Sequence, residues 1–186
     1  MSDWPINVQA PLVTIHPWSL EAIGTDLVSQ VKYLSAAAGA AFPTVNLAIW
    51  IPFSLTKQIT AQKMFWYNGS VVNATYMVCV GIYDSCNNLI WTSGNIAQST
   101  ASVVQSTSMS VATQTMGPGN FYMAMSCNTT TATFFATTMA ASIFPAITGM
   151  AQQATANPLP TTGSPVQIAG NYIPLFGLTT RPGGVV

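Results

Sequence analysis

The chain has 186 residues, no formal net charge, and only 4% charged residues against 49% apolar ones. That length suits one domain with a packed core, and the apolar content argues against disorder. The four basic residues, Lys32, Lys57, Lys63 and Arg181, are scattered and cannot form a phosphate-binding patch, which argues against nucleic acid or an anionic membrane surface as partner.

Ordinary soluble domains carry roughly a quarter charged residues. Here the acids are Asp3, Glu21, Asp26 and Asp84, and no formal charge lies between Asp84 and Arg181. Hydration there rests on Ser, Thr, Asn and Gln. A surface with so little long-range repulsion favours association, so a subunit packed against others is expected.

Residues 1–45 read as an N-terminal arm. The opening "MSDWPINVQAPLVT" lacks a basic region followed by an apolar block, so no signal peptide is expected and synthesis is expected in the cytoplasm. Pro5, Pro11 and Pro17 interrupt any period. Asp26 as an N-cap and Gly39 near the end predict one short helix over about Leu27 to Ala38. The uncharged window 34–53, "LSAAAGAAFPTVNLAIWIPF", contains Pro43, Thr44, Asn46 and Pro52 around an Ala/Gly-rich centre. A spanning helix needs about 20 mostly apolar residues without such breaks, so the window reads as a loop entering a strand.

Residues 46–140 read as an antiparallel all-β core. Strands are predicted at about 46–54, 58–67, 75–83, 88–93, 101–111, 120–127 and 131–138, separated by Asn-Gly-Ser, Asp-Ser-Cys-Asn, Gly and Gly-Pro-Gly breaks. Turn signals every eight to twelve residues, without helical patterns between, indicate a sandwich or a barrel. The 76–82 strand is apolar on both sides, with Tyr76, Val78, Val80 and Ile82 facing one way and Met77, Cys79 and Gly81 the other. Such a strand lies under a loop or arm, or under a neighbouring subunit. No repeat of fixed period is evident.

Residues 141–186 form a proline-rich C-terminal arm or final strand. Pro145, Pro158, Pro160, Pro165, Pro174 and Pro182 forbid long helices and most central strands. The segment nevertheless keeps many apolar residues and is expected to dock them on this subunit or a neighbour, with 170–178, "GNYIPLFGL", the anchored part. Trp4 and Trp18 in the first arm, and Tyr172, Ile173, Leu175 and Phe176 in the last, are the candidate inter-subunit anchors.

Catalytic chemistry finds little to work with. His16 is the sole histidine, and no Gly-x-Ser-x-Gly elbow accompanies it. Asp84 is the only acid of the strand-rich part and suits a turn that satisfies backbone N–H groups. Cys79, Cys86 and Cys127 show neither an even framework nor zinc-ligand spacing. The three Asn-x-Ser/Thr sequons, at Asn68, Asn73 and Asn128, are expected by chance in so Thr-rich a chain. The expectation is a non-enzyme with no cofactor and no metal. Trp66, Tyr67, Tyr83 and Trp91 flank turns and are the candidate contacts to a glycan or a protein partner, beside the alternative that they fill a core or interface.

The stretches "IWIPFSL", "WYNGSVVNATYMVCVGIYDSCNNLIWTSGNIAQS" and "MGPGNFYMAMSCNTTTATFFA" resemble small β-rich structural proteins of tailed bacteriophage virions, over roughly residues 47–137. The family's usual Asp-x-x-Gly-Asn turn is replaced here by "DSCNN". The resemblance implies a jelly-roll-like sandwich and a stoichiometric role in the virion. The expected role is a decoration or cement protein that clamps neighbouring major capsid subunits or other virion proteins, as a homo-oligomer with a trimer favoured. The alternatives are a tail or fibre module, or a carbohydrate-binding module, contacting a host surface glycan.

Overall fold

A computed structural model of the chain describes residues 39–109, 115–136, 149–170 and 172–180 in full, and only the backbone of 13–14, 21–23, 26–28 and 137–138. Every regular element among these residues is a β-strand, and every strand pair is antiparallel.

Two sheets form a β-sandwich. The larger is centred on Gly119–Cys127, which pairs with Met77–Asp84 on one side and Ala48–Leu55 on the other. Leu89–Thr92 and Ile96–Ala97 extend it beyond Met77–Asp84, and Ala151–Gln153 with Val166–Gln167 extend it beyond Ala48–Leu55. The smaller sheet runs Val104–Ser108, Lys63–Tyr67, Phe176–Thr179, Asp26–Val28, Glu21–Ile23. Thus the C-terminal segment supplies an interior strand of this sheet. Pro174 precedes that strand and so costs it no ladder hydrogen bond.

The sequence places a helix at 27–38, and the structure corrects its beginning. Asp26–Val28 is a strand, paired with both Phe176–Thr179 and Glu21–Ile23; residues 29–38 lie outside the described ones. Helix propensity and a lone Asp cap are weak preferences, and pairing with a neighbouring strand overrides them. Two other predicted strands are divided because their halves serve different partners. The 58–67 run splits at Ala61-Gln62, with Ile59–Thr60 pairing Thr115–Met116 and Lys63–Tyr67 entering the smaller sheet. The 131–138 run splits at Phe135, with Thr133–Phe134 pairing Ala40–Ala41 and Ala136–Thr138 pairing Tyr172–Pro174. The 101–111 strand begins late, at Val104, because Ser102 takes a positive φ of 56° in the preceding turn.

Alternation along the larger sheet sends Ile49, Ile51, Phe53, Val78, Val80, Ile82, Met123 and Met125 inward. They meet Met64, Trp66, Phe176 and Leu178 of the smaller sheet in one continuous core. Phe42 joins it with edge-on contacts to Phe134 and Tyr172, at ring-centre distances of 5.6 and 5.7 Å.

The opposite face of the larger sheet is apolar as well. Its rows, set by the register, are Ala48, Ser126 and Cys79; Trp50, Ala124 and Gly81; and Pro52, Tyr122 and Tyr83. Trp50 and Tyr83 lie tilted on one another at 4.0 Å and are fully buried. Their cover is the chain's own segment 156–163, which crosses this face as a strap. Ala156 and Leu159 pack with Ala48, Trp50, Cys79, Tyr83 and Ala124 in a second buried cluster.

Polar ties hold the strap along its length. Ala156 N–H donates to Asn46 O at 2.7 Å, Asn157 Nδ2 to Met77 O at 3.1 Å, and the Tyr83 hydroxyl to Pro160 O at 2.7 Å. Further on, Leu89 N–H donates to Thr161 O and Gly163 N–H to Asn87 O, at 2.9 and 2.8 Å. The strap lies so close that a Cβ at Gly163 would overlap the six-membered ring of Trp50, and a Cβ at Gly81 would stand 2.9 Å from Leu159 Cδ1. Buried aromatics of this size each remove roughly 150–250 Å² from water. At about 25 cal/mol per Å², Trp50 and Tyr83 together make the strap worth several kcal/mol.

Gly163→Ala should therefore destabilise the fold by about 1–3 kcal/mol through overpacking. Gly170→Ala, at an exposed position where a Cβ meets nothing within 4 Å, should change stability little. Denaturant unfolding of the two variants checks this; equal effects would remove the tight strap contact from the description.

Candidate functional site

The bend between Met77–Asp84 and Leu89–Thr92 is built around one carboxylate. Asp84 Oδ1 accepts from the backbone amides of Cys86 and Asn88, both at 2.8 Å, and Oδ2 accepts from Asn88 Nδ2 at 3.2 Å. The Asn88 amide chiefly, with the Asn88 side chain and the Cys86 amide, holds the Asp84 carboxyl below the ordinary range. Asn87 takes a φ of 64°, a left-handed conformation that asparagine tolerates. "DSCNN" is thus a working turn, and Asp84 orders it. Among the described residues, no group of three His, Cys, Asp or Glu could hold a metal ion. His16 lies outside them.

All three cysteines are free. Cys79 lies under the strap, 3.2 Å from Thr92 Oγ1, and Cys127 lies in the main core. Burial pushes the Cys127 thiol up to about 11. Cys86 is exposed at the hairpin tip.

The four aromatics singled out from the sequence do not converge. Trp66 is fully buried in the main core and donates through Nε1 to Asn68 Oδ1 at 3.0 Å. Tyr83 is enclosed under the strap, where burial raises its pKa far above the usual phenol value. Trp91 packs part-buried against the main core. Tyr67 is also part-exposed; it rests on Phe135 at 4.1 Å and donates to Ser102 O. These aromatics make up core and edge rather than one stacking platform.

The candidate arm anchors are likewise placed. Tyr172, Ile173 and Phe176 are buried in this chain's own core, and Leu175 is half-buried with its amide donating to Phe135 O at 2.7 Å. The arm docks at home, because Phe176–Thr179 completes the smaller sheet. Trp4 and Trp18 lie outside the described residues.

Two polar features were not legible as sites. One is a buried network at the Asn68 end of the sandwich. Asn68, itself a sequon residue, is fully buried and gives Nδ2 to Thr100 O and Gln105 Oε1, while its Oδ1 accepts from Trp66 and from Gln98 Nε2. Gln105 in turn donates to Ala97 O. This network joins the 68–70, 97–105 and 133 turns, a structural use.

The other lies at the opposite, hairpin end. Tyr122 stands beside the strap, half-buried, edge-on to Trp50 at a ring distance of 5.9 Å. It separates two hollows. One, of about 390 Å³, is bordered by Pro52, Ser54, Ser85, Asn120 and Phe121; the other, of about 360 Å³, by Asn87, Met150, Pro165 and Gln167. Ser54 Oγ donates to Asn120 Oδ1 at 2.6 Å, which fixes the amide. The signal available in the sequence was the alternation of "NFYMAMSC", which sends Tyr122 to the face opposite Met123.

No protein-family model, no curated protein and no solved structure matches this chain. The fold defines an antiparallel all-β sandwich protein.

Burial and the raised Cys127 pKa predict that a disulfide-exchange reagent at pH 8 titrates one thiol quickly in the native protein, Cys86, and three after unfolding. Two or more rapid native thiols would contradict the enclosed positions of Cys79 and Cys127.

Proposed function

We propose that the chain is a structural protein of a bacteriophage virion, acting as a capsid decoration subunit that binds and stabilises neighbouring capsid proteins. The observation that carries this reading is an all-β body almost without ionic groups. Among residues with described side chains, only Lys57, Lys63 and Asp84 are charged, and Asp84 is engaged in its own turn. Such a surface does not repel copies of itself or a neutral lattice. Val45, Val71, Val103 and Val166 are each more than a third exposed on it, and offer apolar contact between polar Ser, Thr, Asn and Gln.

The core supports the same role. A sandwich whose own chain covers Trp50 and Tyr83 agrees with a compact subunit that brings its core complete to its neighbours. The resemblance in the 47–137 region to small β-rich virion proteins agrees with a stoichiometric, non-catalytic part. A trimer is the favoured state, seated where capsid subunits meet.

The test is mass-resolved electrophoresis of purified particles, followed by binding of the recombinant protein to shells stripped of it. Decoration predicts hundreds of copies per particle and raised thermal stability of the reloaded shells. A few tens of copies or fewer would favour a tail or fibre. Absence from particles, with no binding to shells, would contradict the proposal.

A further inference from the structure

We propose that the hairpin end of the larger sheet, around Tyr122, is a binding site for a neutral oligosaccharide. This goes beyond the decoration role and does not depend on it, since the site uses one end of the sheet and leaves the rest of the surface free.

The chemistry of the site selects the ligand class. A sugar chain presents apolar C–H faces and rows of hydroxyls that both donate and accept. Its binding therefore calls for an aromatic surface, planar amides and hydroxyls in one shallow place. The hairpin end supplies these. Tyr122 offers the aromatic surface, with Phe121 and Pro52 on one side and Met150 and Pro165 on the other. Asn120, Asn87 and Gln167 offer amides, and Ser54 and Ser85 offer hydroxyls. Neither hollow is bordered by a charged side chain, which disfavours nucleotides, phosphates and acidic sugars.

Availability and rigidity point the same way. Among the described residues, Asn87, Tyr122 and Gln167 make no side-chain hydrogen bond, so none of those residues competes with a ligand for their polar atoms. The platform itself is held: Tyr122 is paired in register with Tyr83 and Pro52, and its ring is braced against the enclosed Trp50. Asn120 is fixed by Ser54, and Asn87 by the Asp84 turn and by accepting from Gly163 N–H through its carbonyl. A site whose groups are already ordered loses little entropy on binding. Each hollow reaches the lower end of the range for small-molecule sites, and Tyr122 borders both, so a chain of two or more sugar units would cross it.

The edge of Trp50 adds a reason why this end cannot drift. Its Nε1 is buried with no hydrogen-bond partner among the described residues, so the ring is held there by packing, against Tyr83, Tyr122, Gly163 and the small residues of its cluster. Any loosening of the strap would move the Tyr122 platform with it.

Saturation-transfer NMR with neutral tri- and tetrasaccharides of glucose, galactose, mannose and N-acetylglucosamine tests the proposal. The full-length protein is titrated with each in turn, with a proline-rich decapeptide as control. At least one sugar series should bind saturably. Tyr122→Ala should weaken it about tenfold or more, as expected for loss of an aromatic stacking face, while Tyr122→Phe should retain most of it. Asn120→Ala and Gln167→Ala, at exposed positions, should together weaken it severalfold without altering the unfolding midpoint, so they decide the matter if Tyr122→Ala proves unstable. No saturable sugar binding, binding of the peptide instead, or sugar binding unchanged in these variants would overturn the site. None of these outcomes bears on copy number in particles, so the decoration reading stands or falls separately.

Discussion

The larger sheet carries buried apolar side chains on both of its faces, and the rest of the molecule is arranged around that constraint. Strand alternation puts one set of apolar residues into the sandwich core and puts Trp50 and Tyr83 on the other side. A sheet carrying two such aromatics outward needs a second cover. The segment at 156–163 provides it, and the residues beneath are sized to fit: Ala48, Ala124 and Gly81 leave room for the indole, and Gly163 lets the backbone lie on it. Four prolines, Pro158, Pro160, Pro165 and Pro174, exclude helix along the route from strap to final strand. The same run then supplies Phe176–Thr179 to the smaller sheet. One stretch of chain thereby closes the outer layer and completes the inner sandwich.

The two ends of the sandwich differ in a way that follows from where polar groups are satisfied. At the Asn68 end, the amides of Asn68, Gln98 and Gln105 are turned inward and bond to one another and to the turns they join, with Gln98 Oε1 alone among them buried without a partner among the described residues. Buried amides there would be costly if left unpaired, so the network favours a single arrangement of three loops. At the hairpin end, amides and hydroxyls face outward around a braced tyrosine. Polar chemistry of one kind is structural in the first place and available in the second.

The sequence reveals strands well wherever turn chemistry is strong. Asn-Gly-Ser, Asp-Ser-Cys-Asn and Gly-Pro-Gly mark breaks that the structure keeps, and Asp84 orders its bend as its position suggests. It also exposes the double apolar face of the 76–82 run, but leaves open whether an arm or a neighbour covers it. Pattern alone cannot choose, because Leu159, which covers this strand, lies 80 residues from Cys79. The division of the 58–67 and 131–138 runs is hidden for the same reason: each half answers to a distant partner. Trp66 and Tyr83 look like surface candidates because they stand near turns. Their burial depends on the smaller sheet and on the strap, neither of which is visible locally. Tyr122 is obscured in the opposite sense, since it sits within an apolar run that reads as core.

An intramolecular strap means that covering Trp50 and Tyr83 does not require a second copy of the chain. Native-state hydrogen exchange on dilute protein, with its mass checked by sedimentation, tests this most directly. The strap predicts slow exchange at the amides of Ala156, Leu89 and Gly163 in the monomer, unchanged across a hundredfold range of concentration. Rapid exchange at these amides in the monomer, with protection gained only as copies associate, would contradict it.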